Sequence, residues 1–196
     1  MRLTLITPPA VEPVSLSEMK AHLRVDIDEE DALISGLIRA ATAKLDGRTG
    51  RLGRCLILQQ YRLSLAAFPD EIAIPLAPVQ SIDRVEYVDA TGMPRVLDAD
   101  TYRVVGLADE NGTTVFRPYG GAWPRSAGGP EAVQITFTAG YGEAAEDVPD
   151  QIRQAIRMHV AHLYDNRAAV ASGNGPVQQV PLGYEDLISA YTTWAC

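Results

Sequence analysis

DVPDQIRQAIRMHVAHLYDNRAAV, from Asp147 to Val170, is the longest helical pattern in the chain, and its reading decides the fold. Ile152, Ile156, Val160 and Leu163 recur at steps of four, four and three. Ala155, His159 and Tyr164 widen the same stripe, as the buried face of an amphipathic helix requires. Asp147 is placed to cap the free N–H groups, Pro149 suits the first turn, and Asp150 sets negative charge at the positive end of the helix dipole. At about 1.5 Å per residue this element would span roughly 33 Å, enough to cross a small domain.

Outward from it, toward the N-terminus, the period is at first different. From about Arg54 apolar residues alternate, with Tyr61, Leu63 and Leu65 set against Arg62 and Ser64, which is the repeat of a strand. Proline-bounded pieces follow: EIAIP, VQSIDRVEYVDATGMPRVL, TYRVV, TTVFRP and AVQITFTAGYG, with Asp89-Ala90-Thr91-Gly92 as a hairpin turn. These predict six or seven short antiparallel strands, since parallel ones would need helical crossovers that the stretch lacks.

Before the strands, after an extended start with Pro8, Pro9 and Pro13, two further helices are expected. Ser15 and Glu18 have the spacing of a capping box, Val14 of a hydrophobic staple, and Leu16, Met19 and Leu23 form a stripe. Asp28 is the expected cap of the second helix, Glu29, Glu30 and Asp31 fill its first turn, and Leu33, Ile34, Leu37, Ile38, Ala41 and Leu45 make its apolar face. Gly47 and Gly50 suit its close. The expectation is an α+β fold: an N-terminal helical part over 1–53, an inserted antiparallel β-rich lobe over 54–146, the long helix over 147–170 completing a helical body, and a C-terminal arm over 171–196. Ser172, Gly173, Asn174, Gly175 and Pro176 break the helix pattern at the arm's root. Beyond them Tyr184 to Tyr191 suits one or two helical turns, with Leu187, Ile188, Tyr191 and Trp194 apolar. An apolar tip of this kind either meets a partner or folds back on its own body.

Composition narrows the function. Of 196 residues 46% are hydrophobic, enough for a real core, and the formal charge of −8 provides no overall basic character for gripping nucleic acid. Cys55 and Cys196 have no spacing that suggests a disulfide framework or a zinc site, which reads as a reducing compartment. MRLTLITPPA lacks the apolar core of a signal peptide and no run is long enough for a membrane span, so a cytosolic site of synthesis and no membrane partner are expected.

His159, His162 and Asp165 are the best candidates for a metal or catalytic site. Steps of three residues wind around a helix by about sixty degrees each, so His159 and Asp165 diverge. The Glu that separates zinc-binding histidines in hydrolases is absent, and no other His or Cys cluster supplies further ligands. His159 reads better as a core or interface histidine, and His22 with Asp26 as surface residues. The glycines of TAGYG and YGGAWPRSAGG do not precede a Lys-Ser or Lys-Thr helix start, and no G-x-S-x-G elbow occurs. Arg48, Arg51 and Arg54 either contact phosphate or complement a helix C-terminus. No catalytic, cofactor-binding or metal residue is expected, and the chain does not read as an enzyme; a small metal-dependent hydrolase at the two histidines is the alternative from another class.

SLSEMKAHLRVD, DEEDALISGLIRAATAKLDGRTGR, LILQQYRLSL, PVQSIDRVEYVDATG, ITFTAGYG and VPDQIRQAIRMHVAHLYDNR, in that order over about residues 14 to 170, resemble the head–tail connector, or adaptor, proteins of tailed bacteriophages and phage-derived gene transfer agents. VPLGYEDLISAY is similar to the ending of that family. The most telling pieces are the TGR after the second helix, the AGYG before the long one, and His162, Tyr164, Asn166 and Arg167 at its end. The resemblance implies a structural virion protein of the neck, made in the bacterial cytoplasm. It would assemble as a dodecameric ring with the portal protein above, a tail-completion, stopper or tail-terminator protein below, and DNA passing through without specific binding. It also implies that Val180, Leu182, Tyr184, Leu187, Ile188, Tyr191 and Trp194 form a portal-docking arm, and it makes His159, His162, Tyr164 and Arg167 candidates for a subunit interface. A tail terminator or another tail-completion ring is the nearest alternative.

Overall fold

The structure, a computed structural model, describes residues 1–166 and 183–192. The chain divides into two compact units, one of Met1–Ala10 with Ile57–Tyr141 and the other of Val11–Leu56 with the described residues from Gly142 on. Helices and antiparallel sheets together make the fold α+β.

Among the described residues, the first unit holds every strand. These are β1 (Arg2–Thr7), β2 (Gln59–Leu65), β3 (Glu71–Ile74), β4 (Val79–Val88), β5 (Pro94–Leu97), β6 (Arg103–Val105), β7 (Thr113–Phe116) and β8 (Val133–Ala139). They form a five-stranded sheet ordered β1-β2-β8-β4-β5 and a three-stranded sheet ordered β3-β7-β6, antiparallel at every pairing. The alternation in β8 explains its central place: Val133, Ile135, Phe137 and Ala139 are buried while Gln134, Thr136 and Thr138 face outward. Tyr61 and Leu63 of β2 sit opposite Phe137 and Ile135, so the pairing register puts the apolar sets on one face, with the Tyr61 and Phe137 rings 6.1 Å apart. The β4–β5 turn forms as expected. Asp89 accepts the backbone N–H of Thr91 at 2.9 Å and of Met93 at 3.0 Å, and Gly92 takes the positive φ of 85° that the turn demands. The extended start, read as the opening of the helical part, is a strand: Arg2 pairs with Ser64 and Leu5 with Tyr61.

The second unit holds α1 (Leu16–Leu23), α2 (Asp31–Leu45), α3 (Asp150–Asp165) and α4 (Gly183–Ser189). Ser15 caps α1 by accepting the Glu18 N–H at 3.2 Å. Two expected caps are corrected. Glu30 stands at the N-cap of α2 without a side-chain capping bond, because the Asp28 carboxylate is taken by Lys20 at 2.7 Å. Asp147 accepts the Ala144 N–H at 2.9 Å in the preceding 3-10 turn, so α3 starts at Asp150 with Pro149 as its cap residue. The core of this unit is Val14, Met19, Ile34, Ile38, Ala41, Leu45, Leu52, Leu56, Ile152, Ile156 and Val160. Leu33 is 40% exposed and Leu163 half-buried, so the apolar stripes of α2 and α3 are narrower than the periodicity predicts.

Candidate functional site

The long helix α3 carries two different attachments on its flanks. At its first turns it holds α1 by charge. Glu18 accepts from Arg153 at 2.8 Å and also from Arg157, while the Nε of Arg153 donates to the Pro13 carbonyl at 3.2 Å. Burial pushes the Glu18 carboxyl up, but the hydrogen bond and charge of Arg157, then those of Arg153, hold it below its ordinary value. This joint is polar and part-buried, and the acid is shared by two guanidinium groups.

α4 is held in another way. Tyr184 and Ile188, one helical turn apart, are each 1% exposed. The Tyr184 ring meets that of His159 edge-on at 5.5 Å between centroids, and His159 is itself 5% exposed. Around this apolar plug lie three polar ties. Arg51 donates to both carboxylate oxygens of Glu185 at 2.6 and 2.5 Å, the Nε of Arg54 donates to the Tyr191 carbonyl at 2.6 Å, and the Tyr191 hydroxyl donates to Gln151 at 3.0 Å. Within the plug, however, the Tyr184 hydroxyl and Nδ1 of His159 are buried with no hydrogen-bond partner among the described residues. Burial, then the charge of Lys44, then that of His162 lower the pKa of His159, and burial raises that of Tyr184.

The loop that supplies Arg51 and Arg54 is itself tightly specified. Asp46 accepts the Leu56 N–H at 2.7 Å, and the Gly47 N–H donates to the Arg54 carbonyl at 2.6 Å. A Cβ on Gly50 would stand 2.2 Å from the Asp46 carbonyl oxygen, so no larger residue fits that turn. Cys55 is buried beside it, and burial pushes its thiol up, away from a reactive thiolate.

The structure separates the residues singled out by the sequence. Of the arm residues, Tyr184 and Ile188 lie in the interior of the helical unit and not on a free tip, Leu187 and Tyr191 are half-buried, and Val180, Leu182 and Trp194 fall outside the described residues. Of the interface candidates, His159 is buried against Tyr184, His162 is half-buried with Nδ1 3.3 Å from the Asn166 amide, Tyr164 bonds Glu30, and Arg167 falls outside the described residues. His22 and Asp26 are exposed. Arg51 and Arg54, read as phosphate contacts or helix-end charges, instead hold α4. Sequence periodicity carried no signal for this, since Arg51 and Glu185 are 134 residues apart. Among the described residues no group of His, Cys, Asp and Glu is arranged to hold a metal ion, and no helix is long and apolar enough to cross a membrane.

A second feature lies in the sheet unit. The Arg103 guanidinium packs 3.7 Å from the centroid of the Tyr119 ring and 5.5 Å from that of Phe116, beside a cleft of about 350 Å³ that Asp70, Glu71 and Arg117 also line. The cleft carries both signs of charge.

Residues 13–87 match the model of the Phage gp6-like head-tail connector protein family. A chain from the neck of an empty gene transfer agent particle is 27% identical, with a TM-score of 0.78 over 100% of this chain and 97% of that one. Over residues 13–87 the chain is similar to head–tail connector proteins. A chain in the virion of a native gene transfer agent particle matches with the same identity, coverage and TM-score. A third chain, from the neck of a native particle, is 24% identical with a TM-score of 0.71 and shares the fold. No curated protein matches the chain. The family match ends within β4, whereas the structural likeness runs through α3 and α4, the elements that carry both attachments.

Proposed function

We propose that the chain is a head–tail connector, a non-enzymatic subunit of a dodecameric ring in the neck of a tailed particle, between the portal protein and the tail-completion proteins, where it continues the DNA channel. The observation that carries this reading is the full-length likeness, at 27% identity, to chains in the neck of one gene transfer agent particle and the virion of another. The neck of the first was computed with sixfold symmetry, as rings of six or twelve copies allow. Copies that meet through different faces under rotation close into such a ring. The charge agrees: a ring repeats −8 at every subunit, and a wall that does not neutralise phosphates does not retard passing DNA. His159 serves the reading as a packing residue, its ring spent against Tyr184.

The C-terminal segment is the proposed arm that fastens this ring to the portal. Val180, Leu182 and Trp194 are its proposed contacts together with the half-buried Leu187, while Tyr184, Ile188 and Tyr191, the last bonded to Arg54 and Gln151, anchor the segment. Deleting residues 172–196 tests the arm. Particle production with the truncated chain should give filled heads without joined tails, and normal particles would overturn the assignment.

A further inference from the structure

We infer that, in the assembled ring, α4 of one copy seats in the socket of the neighbouring copy, so that α4 exchange links the subunits; this rests on the ring proposed above. The contact is a plug in a socket. The plug is Tyr184, Glu185, Ile188 and Tyr191, and the socket is Arg51 and Arg54 from the loop after α2 with Gln151 and His159 on α3. Each of these ties joins segment 183–192 to residues of α3 or of the loop, and none depends on which chain supplies the segment. A second copy has the same sequence and meets the same partners at the same distances.

The spacing of the sequence points to the second copy. Sixteen residues separate Asn166 from Gly183, whereas about 2–8 suffice to return a helix onto its neighbour in a bundle. At up to about 3.5 Å per residue sixteen residues span at most roughly 55 Å, which brings an adjacent subunit's socket within range. Plug and socket are different surfaces of one chain, as a rotational ring requires. Exchanging an identical element costs little, because each bond given up within a chain is remade between chains. The seat also leaves the Tyr184 hydroxyl and His159 Nδ1 without partners among the described residues, so the plug is not locked by a fully satisfied polar network there.

Two full-length variants test the exchange. Arg51→Glu and Glu185→Arg each set like charges together when a chain seats its own α4. Mixed in equal amounts they pair opposite charges only when plugs cross between chains. Under conditions where the wild type assembles, alone or on isolated portal rings, the mixture should form mixed rings. Its α4 amides should exchange hydrogen roughly tenfold more slowly than in either variant alone. The double variant Arg51→Glu/Glu185→Arg, which restores the pair in both arrangements, reports that the altered charges are compatible with folding and should assemble like the wild type. If the mixture behaves as the sum of its two components while the wild type forms rings, α4 stays in its own chain; the exchange is then refuted and the ring reading stands. If the wild type forms no ring in either setting, both fall.

Discussion

α1 and α4 both pack on α3, with a different balance of charge and apolar contact. α1 buries Met19 and is joined through a carboxylate shared by Arg153 and Arg157, each arginine also hydrogen-bonded elsewhere, although Nε of Arg157 finds no partner among the described residues. α4 is joined through buried Tyr184 and Ile188, with charges at the rim and two polar atoms left unpaired inside. The first joint is costly to open, because it would strand two part-buried guanidinium groups. The second combines an apolar centre with polar ties at its rim, which is the kind of contact the proposed exchange would remake between chains. On that proposal the two joints separate permanent structure from an element used in assembly.

The largest effect is expected from opening the core of α3, the helix on which both pack. Ile156 is fully buried in α3, and Ile156→Ala should cost about 2–5 kcal/mol in chemical denaturation and loosen both attachments together. Next comes the loop. Gly50→Ala forces a Cβ against backbone and should cost about 1–3 kcal/mol, raising hydrogen exchange in α4 while α1 stays protected. Glu18→Ala should do the reverse, loosening α1 at a cost of about 1–3 kcal/mol with α4 unaffected. The smallest effect sharpens the comparison most. Tyr184→Phe removes a hydroxyl that has no partner, so stability should change by less than about 1 kcal/mol and in the stabilising direction. A loss beyond that would mean the hydroxyl is bonded and the seat more exacting than its geometry indicates.

Acidification should distinguish the joints as well. The His159 pKa is lowered in the folded chain, so its neutral form stabilises the fold fully above the ordinary value of 6.5, and this contribution is lost as pH falls below 6.5 toward the folded pKa. The Glu18 pKa is lowered too, but from 4.5, so the α1 joint keeps its contribution until pH falls below that value. Hydrogen exchange measured from pH 7 to 4 should therefore show α4 loosening first and α1 only later.

What the sequence revealed was local. The stripe Ile152, Ile156, Val160, the Ser15 cap and the Asp89 turn all depend on residues within a few positions of each other, and all are present. What it concealed was long-range pairing. β1 became a strand only because Arg2 to Leu5 meet Tyr61 to Ser64, and its own short alternation did not announce a partner. Asp28 and Asp147 looked like caps but found better-placed donors in Lys20 and the Ala144 N–H. The α4 seat was beyond sequence reading for the same reason, since Arg51 with Glu185 and Arg54 with Tyr191 lie more than a hundred residues apart. The head–tail connector resemblance, by contrast, was legible from the order of short pieces along the chain, and the family match over residues 13–87 agrees with it.

The most direct test of the proposed role is to image particles assembled with a heavy-atom label on the N-terminus of this chain. The label should appear as a ring of twelve at the junction of head and tail, and particles lacking the chain should be heads without tails. Label scattered elsewhere in the particle, or joined particles in its absence, would contradict the account.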